Sequence, residues 1–298
     1  MSGLEARELR YFVAVAEELN FSRAAERLGM AQPPLSRTIR QLERRLGAAL
    51  FTRDTRQVVL TDFGATFLEE ARHALEVLTA VDRRARRAAQ VTPTLVATAK
   101  PGIASGMLRR VVDTFRALPG AGRVEIAVSG YREQADMVRD GRADVALLSL
   151  PYERRGLDSE PLASEPRVAA LPADHPLARR SELRRADLYG EPIPRWAGAS
   201  EAEHAYWCGR EPGADLPPGP VVGDPSQLLE VVGLGQAVAL IPRSVAERNP
   251  RPDVTYRPVA DAAPYVIAIA WPAGTRSPAI ARFVSAATDL YLDRTLVS

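Results

Sequence analysis

The stretch Gln32-Pro33-Pro34-Leu35-Ser36-Arg37-Thr38-Ile39-Arg40-Gln41-Leu42-Glu43 reads as a helix with two unlike faces. Leu35, Ile39, Leu42 and Leu46 recur three or four residues apart and form one narrow apolar stripe. At ~100° per residue, Pro33, Arg37, Arg40 and Arg44 fall on the opposite side, with Ser36 at its flank. The prolines suit a first turn, where the missing N–H has no intrahelical partner to lose. Gly47 is the expected stop.

Outward from this helix the pattern stays short and regular. Leu9, Phe12, Val13, Ala16 and Leu19 give an amphipathic helix from about Arg7 to Glu18. Ser22 is the expected N-cap of a second, short helix with Ala24, Ala25 and Leu28 on its apolar side. Gly29 ends that helix as a left-handed residue. Downstream, Leu50–Arg53 and Val58–Thr61 read as two short strands around the polar turn Asp54-Thr55-Arg56-Gln57, a hairpin wing. Between Ser22 and Leu60, eight arginines (residues 23, 27, 37, 40, 44, 45, 53 and 56) stand against Glu26, Glu43 and Asp54. The whole chain carries only +2, so this stretch is a local basic footprint of the kind nucleic acid attracts. A solvated charged face would have the same composition.

Asp62 to about Gln90 contains no proline and one glycine, which predicts a long helix. Phe67, Ala71, Ala74, Leu78, Val81, Ala85 and Ala88 alternate spacings of four and three along it, a heptad seam. Such a seam packs either on its own domain or on a second chain. The cluster Arg83-Arg84-Arg86-Arg87 leaves little other apolar surface, which favours two chains. After Val91-Thr92-Pro93 the pattern changes to strands alternating with helices. Strands are expected at 94–99, 123–128, 144–149, 167–171, 220–222, 237–241, 254–259 and 265–270, and helices at 105–118, 132–140, 225–232 and 278–292. That alternation predicts parallel sheets covered by helices, an α/β unit. The Pro- and Gly-rich stretch 192–220 is the least readable.

Composition narrows the chemistry. The apolar and charged fractions, 46% and 26%, match ordinary globular protein. No apolar run approaches the ~20 residues of a membrane span, and the N-terminus lacks the basic-then-apolar order of a secretory signal, so a cytoplasmic protein without membrane contact is expected. The single cysteine, Cys208, forms no intrachain disulfide and reads as an inert thiol, with His204 the only nearby base. His73, His175 and His204 lack ligand spacing, so no metal site is expected. Nor is any cofactor or catalytic set: there is no glycine-rich phosphate motif and no Gly-x-Ser-x-Gly elbow. Of 39 basic residues only Lys100 is lysine.

Taken in order, Phe21-Ser22-Arg23-Ala24-Ala25-Glu26-Arg27-Leu28, the helix from Gln32 to Glu43, Leu46-Gly47, Leu50-Phe51, Arg53, Arg56, Leu60-Thr61 and Gly64 resemble the LysR-type transcriptional regulators. The resemblance runs on more weakly through Ala173-Asp174-His175-Pro176-Leu177-Ala178 and Val232-Gly233-Leu234-Gly235-Gln236-Ala237 to Pro242. It implies a winged helix-turn-helix (residues 1–61), a dimerisation linker helix (62–90) and an α/β effector domain (91–298) of two lobes, like a periplasmic binding protein. Lobe one would take about 91–164 and 265–298 and lobe two about 165–264, with crossings near 162–167 and 259–265. It also implies promoter DNA, a small-molecule effector and a self-associated dimer or tetramer.

From that pattern, base contact falls on Gln32, Pro33, Ser36 and Arg37, while Arg40 reaches guanine or phosphate. Arg53 and Arg56 in the wing suit a narrow minor groove. The effector belongs in the cleft outside the carboxyl ends of the strands. Lobe one offers Lys100-Pro101-Gly102, Ser129, Tyr131 and Ser149 there; lobe two offers Arg195, Trp196 and Ser226, with Asp224 an N-cap. Tyr131 and Trp196 would stack on a ligand ring or simply pack. Lys100 departs from the small or hydroxyl residue many members carry, and beside helix N-termini it favours an effector with a carboxylate or phosphate. The alternatives are an α/β enzyme fused to a DNA-binding head, and an architectural DNA-binding protein without effector.

Overall fold

The computed structural model describes residues 3–53, 57–210, 217 and 219–295, in two units, 1–89 and 90–298. The first unit begins with α1 (Ala6–Glu18), α2 (Phe21–Arg27) and α3 (Gln32–Leu46), followed by β1 (Phe51–Arg53), β2 (Val58–Leu60) and α4 (Asp62–Ala88). Leu9, Phe12, Val15, Ala24, Leu35, Ile39, Leu42, Leu50 and Phe51 form its core. The N-cap of α2 is Asn20 rather than Ser22: the Asn20 carboxamide oxygen accepts the Ser22 and Arg23 N–H groups at 2.9 and 3.1 Å. A longer asparagine two residues earlier satisfies two orphan donors where Ser22, already helical, satisfies none.

β1 and β2 pair antiparallel, Phe51 opposite Leu60. The hairpin is anchored by Glu43, whose carboxylate accepts the Leu50 and Phe51 N–H groups at 3.0 and 3.3 Å. Thr61 caps α4 by accepting the Gly64 N–H at 2.9 Å while its hydroxyl donates to the Ala49 carbonyl at 2.8 Å. A Cβ on Gly64 would sit 2.1 Å from the Leu50 carbonyl oxygen, so only glycine fits this crossing of helix and hairpin. The heptad seam divides. Phe67, Ala71 and Ala74 pack into the core of their own unit, correcting that half of the two-chain reading, whereas Leu78 and Val81 stay exposed.

The second unit runs β3 (Thr94–Ala99), α5 (Ser105–Arg116), β4 (Arg123–Ala127), α6 (Gln134–Arg139), β5 (Val145–Ser149), β6 (Leu157–Glu165), β7 (Arg167–Pro172), β8 (Arg195–Trp196), α7 (Glu201–Cys208), β9 (Val221–Val222), α8 (Pro225–Gly233), β10 (Ala239–Pro242), α9 (Arg243–Arg248), β11 (Val254–Pro258), β12 (Tyr265–Pro272) and α10 (Pro278–Thr295). One lobe is built on the sheet β4-β3-β5-β12-β6 and the other on β10-β7-β11, with β8 and β9 paired beside it. Alternation places Leu95, Ala97, Leu147 and Ile269 on one face of the first sheet and Val96, Ala146, Leu148 and Ala270 on the other, and both faces are buried.

The expectation of parallel sheets holds for β4-β3-β5 alone. β12 lies antiparallel between β5 and β6, and β7 lies antiparallel between β10 and β11. The cause is topological. β6 runs to the first crossing at Pro166 and β12 returns from the second, while β7 leaves the first crossing and β11 runs back to the second. Strands going to and from one hinge must oppose each other. β6 escapes a sequence search because Asp158, Glu160 and Pro161 interrupt it, which an edge strand tolerates. Arg167 fastens the crossings: its buried guanidinium donates to the Ala263 and Tyr206 carbonyls at 2.7 and 2.9 Å and lies 4.4 Å from the centre of the Tyr206 ring.

Candidate functional site

On α3 the two faces separate as the spacing requires. Leu35, Ile39 and Leu42 are fully buried, whereas Gln32, Pro33, Arg37 and Arg40 are exposed and Ser36 is half-buried. The arginines of this unit also sort themselves by partner. Arg23 donates to the Glu18 carbonyl at 2.6 Å, Arg27 pairs with Glu17 at 2.8 Å, and Arg45 pairs with Glu8 at 2.5 Å. Burial alone would raise the Glu8 pKa, but the hydrogen bond and charge of Arg45 hold it below its ordinary value. Glu17, gripped by Arg27 and by Arg72 of α4, is lowered in the same way against its own burial. These side chains tie helices together. Arg40 and Arg44 have no hydrogen bond or ion pair among the described residues, and Arg37 makes only a 3.5 Å contact to the Pro33 carbonyl. The basic footprint is therefore part scaffold and part open face. Arg56 lies outside the described residues, as does the side chain of Arg53.

In the second unit, the ends of β3, β4 and β5 meet α7 of the other lobe around a cavity of about 560 Å³. Lys100 follows β3 directly and is buried. Its ammonium nitrogen donates to the Ser149 hydroxyl at 2.7 Å and stands 4.7, 5.4 and 5.8 Å from the ring centres of Tyr131, Trp207 and Tyr265. Burial, aided by the Arg132 charge and opposed by Glu203, pushes the lysine pKa down to about 7. Cation–π attraction favours the ammonium by ~0.5–2 kcal/mol, less than the desolvation it offsets. Tyr131 stacks on Trp196 at 4.8 Å, Trp196 contacts Trp207, and Trp207 contacts Tyr265, so an aromatic chain joins the two lobes. Beside it Arg132 pairs with Glu203 at 2.6 Å and donates to the Gly198 carbonyl at 3.3 Å. Among the described residues, the other terminal nitrogen of Arg132 is buried without a partner, as is the Tyr152 hydroxyl.

Of the residues expected at the effector cleft, Lys100 and Ser149 line this cavity. Tyr131 belongs to the lysine's aromatic box, and Tyr131 and Trp196 stack on each other rather than standing open for a ligand ring. Ser129 is buried, accepting from the Gln134 amide at 2.6 Å and donating to the Ala99 carbonyl. Pro101 and Gly102 form the turn into α5, Gly102 at φ +74°. Arg195 and Ser226 are exposed and outside the cavity lining; Asp224 caps α8 through the Ser226 and Gln227 N–H groups. Arg132, Tyr152, Glu203 and Trp207 were not legible as site residues. α7, which carries two of them, sits in the Pro- and Gly-rich stretch whose pattern gave no element. Cys208 is buried with its thiol pushed up to about 11, 3.6 Å from His204, an unreactive environment.

The model of a bacterial regulatory helix-turn-helix protein of the lysR family matches residues 6–65, and that of a LysR substrate binding domain matches residues 88–291. The chain belongs to the LysR family of transcriptional regulators. It is 35% identical over 289 residues to the Hca operon transcriptional activator HcaR of Escherichia coli (strain K12), covering 95% of this chain and 96% of that one. It is 33% identical over 264 residues to the regulator CatR of Pseudomonas putida, covering 87% and 89%. Among solved structures it resembles CbnR, a LysR family transcriptional regulator, with TM-score 0.61, 25% identity and 97% and 99% of the two chains covered. CbnR complexed with its target DNA matches at TM-score 0.60 and 27% identity, over 96% and 99%. This LysR regulator is thus a DNA-binding protein with an effector-binding α/β domain, and the enzyme alternative falls. No helix among the described residues is long and apolar enough to cross a membrane.

Proposed function

We propose that this regulator answers a small carboxylate held in the cavity between its lobes. The observation that carries this reading is the buried nitrogen of Arg132, a residue lining the cavity, that has no partner among the described residues. An unsatisfied charged donor in a buried position costs free energy that a carboxylate oxygen recovers. Lys100, Ser149 and Tyr152 line the same cavity and carry further donors. A phosphate offers the same oxygens and is the alternative anion. Closing on the ligand engages both lobes, because Arg132 belongs to one and its partner Glu203 to the other. The test is calorimetry of a library of carboxylates and phosphates against the wild type, Arg132→Met and Lys100→Met, with operator binding in parallel. Intact operator binding with lost ligand affinity in both variants supports the reading; wild-type affinity in Arg132→Met refutes it.

On the DNA side the same proposal assigns base contacts to Gln32, Pro33, Ser36 and Arg37, guanine or phosphate contact to Arg40, and the minor groove or its phosphates to Arg53 and Arg56. Two heads joined through the exposed half of α4 would read half-sites about one helical turn apart, ~34–36 Å. Dimers, and tetramers of them, acting on promoters in the cytoplasm complete the reading.

A further inference from the structure

We propose that Lys100 captures an effector bearing both a carboxylate and an aldehyde or ketone carbonyl as a reversible imine at Nζ. The proposal rests on the carboxylate reading above and deepens it by naming the second functional group of the ligand. Three features of the cavity point to it. The lysine nitrogen is held by the Ser149 hydroxyl at 2.7 Å, and Lys100 lines the cavity rather than entering a surface ion pair. The Tyr131, Trp207 and Tyr265 rings surround it in a buried position, and the charge of Arg132, which lines the same cavity, acts on it as a second cation. Desolvation together with a neighbouring cation is the environment that makes an amine nucleophilic at neutral pH. The cavity also supplies separate unpartnered donors, the Arg132 nitrogen and the Tyr152 hydroxyl, for the rest of the ligand.

The step balances without an oxidant or co-reactant. The lone pair of neutral Nζ forms a bond to the carbonyl carbon, the C=O π pair moves to oxygen, and one proton passes from nitrogen to that oxygen, giving a carbinolamine. Protonation of its hydroxyl lets water leave as nitrogen forms the C=N double bond, and loss of the remaining N–H proton leaves the imine. Amine plus carbonyl gives imine plus water. The Ser149 hydroxyl, in hydrogen-bond contact with Nζ, is placed to pass these protons. With its pKa lowered to about 7, about half of Lys100 is neutral at pH 7, against less than a thousandth of an ordinary lysine. Of the charged groups acting on it, Arg132 promotes and Glu203 opposes the neutral form.

The composition makes the test clean, since the chain has one lysine and its N-terminus as the only other amine. The full-length protein is incubated with glyoxylate or 4-carboxybenzaldehyde and cyanoborohydride, and the trapped adduct is weighed intact and mapped by peptide. Glycolate and benzoate, which lack the carbonyl, are titrated alongside by tryptophan fluorescence. The expected result is a single adduct on Lys100 with at least one carbonyl probe, absent in Lys100→Met, forming at a rate that levels off above about pH 7. If Lys100→Met fails to fold, peptide mapping of the wild type decides alone. Binding of glycolate or benzoate with no Lys100 adduct from either carbonyl probe overturns the imine and leaves the carboxylate site standing. No binding by any probe and no adduct overturns both.

Discussion

Replacing Lys100 by methionine should stabilise the effector unit at neutral pH, by an amount that shrinks as pH rises. The folded chain holds Lys100 at about 7 against an ordinary 10.5. Below pH 7 both folded and unfolded chains carry the proton, and the fold bears the full cost of a buried ammonium. Between about 7 and 10.5 only the unfolded chain binds it, so wild-type stability climbs with pH; above 10.5 both are neutral and the cost is gone. Within that window each pH unit is worth about 1.4 kcal/mol. The wild type should therefore gain roughly 2 kcal/mol on Lys100→Met between pH 7 and pH 9. Methionine also forfeits the hydrogen bond to Ser149, a loss of about 1 kcal/mol that does not vary with pH. Cys208, raised from 9 to about 11, acts in the opposite sense above pH 9, but it is present in both proteins and cancels in the difference. The assay is urea unfolding followed by tryptophan fluorescence, since Trp196, Trp207 and Trp271 all lie in the second unit. Two stability curves that run parallel from pH 7 to 9 would refute the argument.

Three other outcomes are expected. Arg37→Ala should lower operator affinity by about 1–3 kcal/mol and relax discrimination, while Arg56→Ala weakens binding evenly across sequences; titration on a footprinted operator and on scrambled DNA separates them. Gly64→Ala should destabilise the first unit by about 1–3 kcal/mol, because its Cβ would overlap the Leu50 carbonyl and force the hairpin from α4; thermal unfolding of the variant measures it, and an unchanged midpoint counts against the contact. Glutamates at Leu78 and Val81, both exposed in the single chain, should reduce dimer content as read by mass in solution, with the fold intact by circular dichroism; an unchanged dimer with normal operator affinity rejects an interchain seam at this position.

Local patterning was enough to specify the DNA-reading unit. Leu35, Ile39 and Leu42 against Arg37 and Arg40 define the two faces of α3 from spacing alone, and Gly29 and Gly47, at φ +65° and +73°, mark turns that need glycine. These are contacts and conformations within a few residues, which composition and period report directly. The identity of Lys100 as an outlier was equally visible, because one lysine among 39 basic residues stands out without a structure. Its environment was not. The rings around it come from Tyr131, Trp207 and Tyr265, separated by up to 134 positions in the chain, and no local period encodes a meeting of that kind. The same limit hid Arg132 and Glu203, each an ordinary surface charge until the hinge brings them to 2.6 Å. It also misled the reading of strand direction, since alternation of strands and helices reports layers, whereas the antiparallel place of β7 and β12 depends on both crossings sharing one hinge. Spacing and composition settle the reading helix, the wing, the linker helix and most strands of the effector unit, but not β6 or α7; which side chains face one cavity, and what charge a lysine there can keep, depends on the fold, because burial and electrostatics are set by neighbours in space.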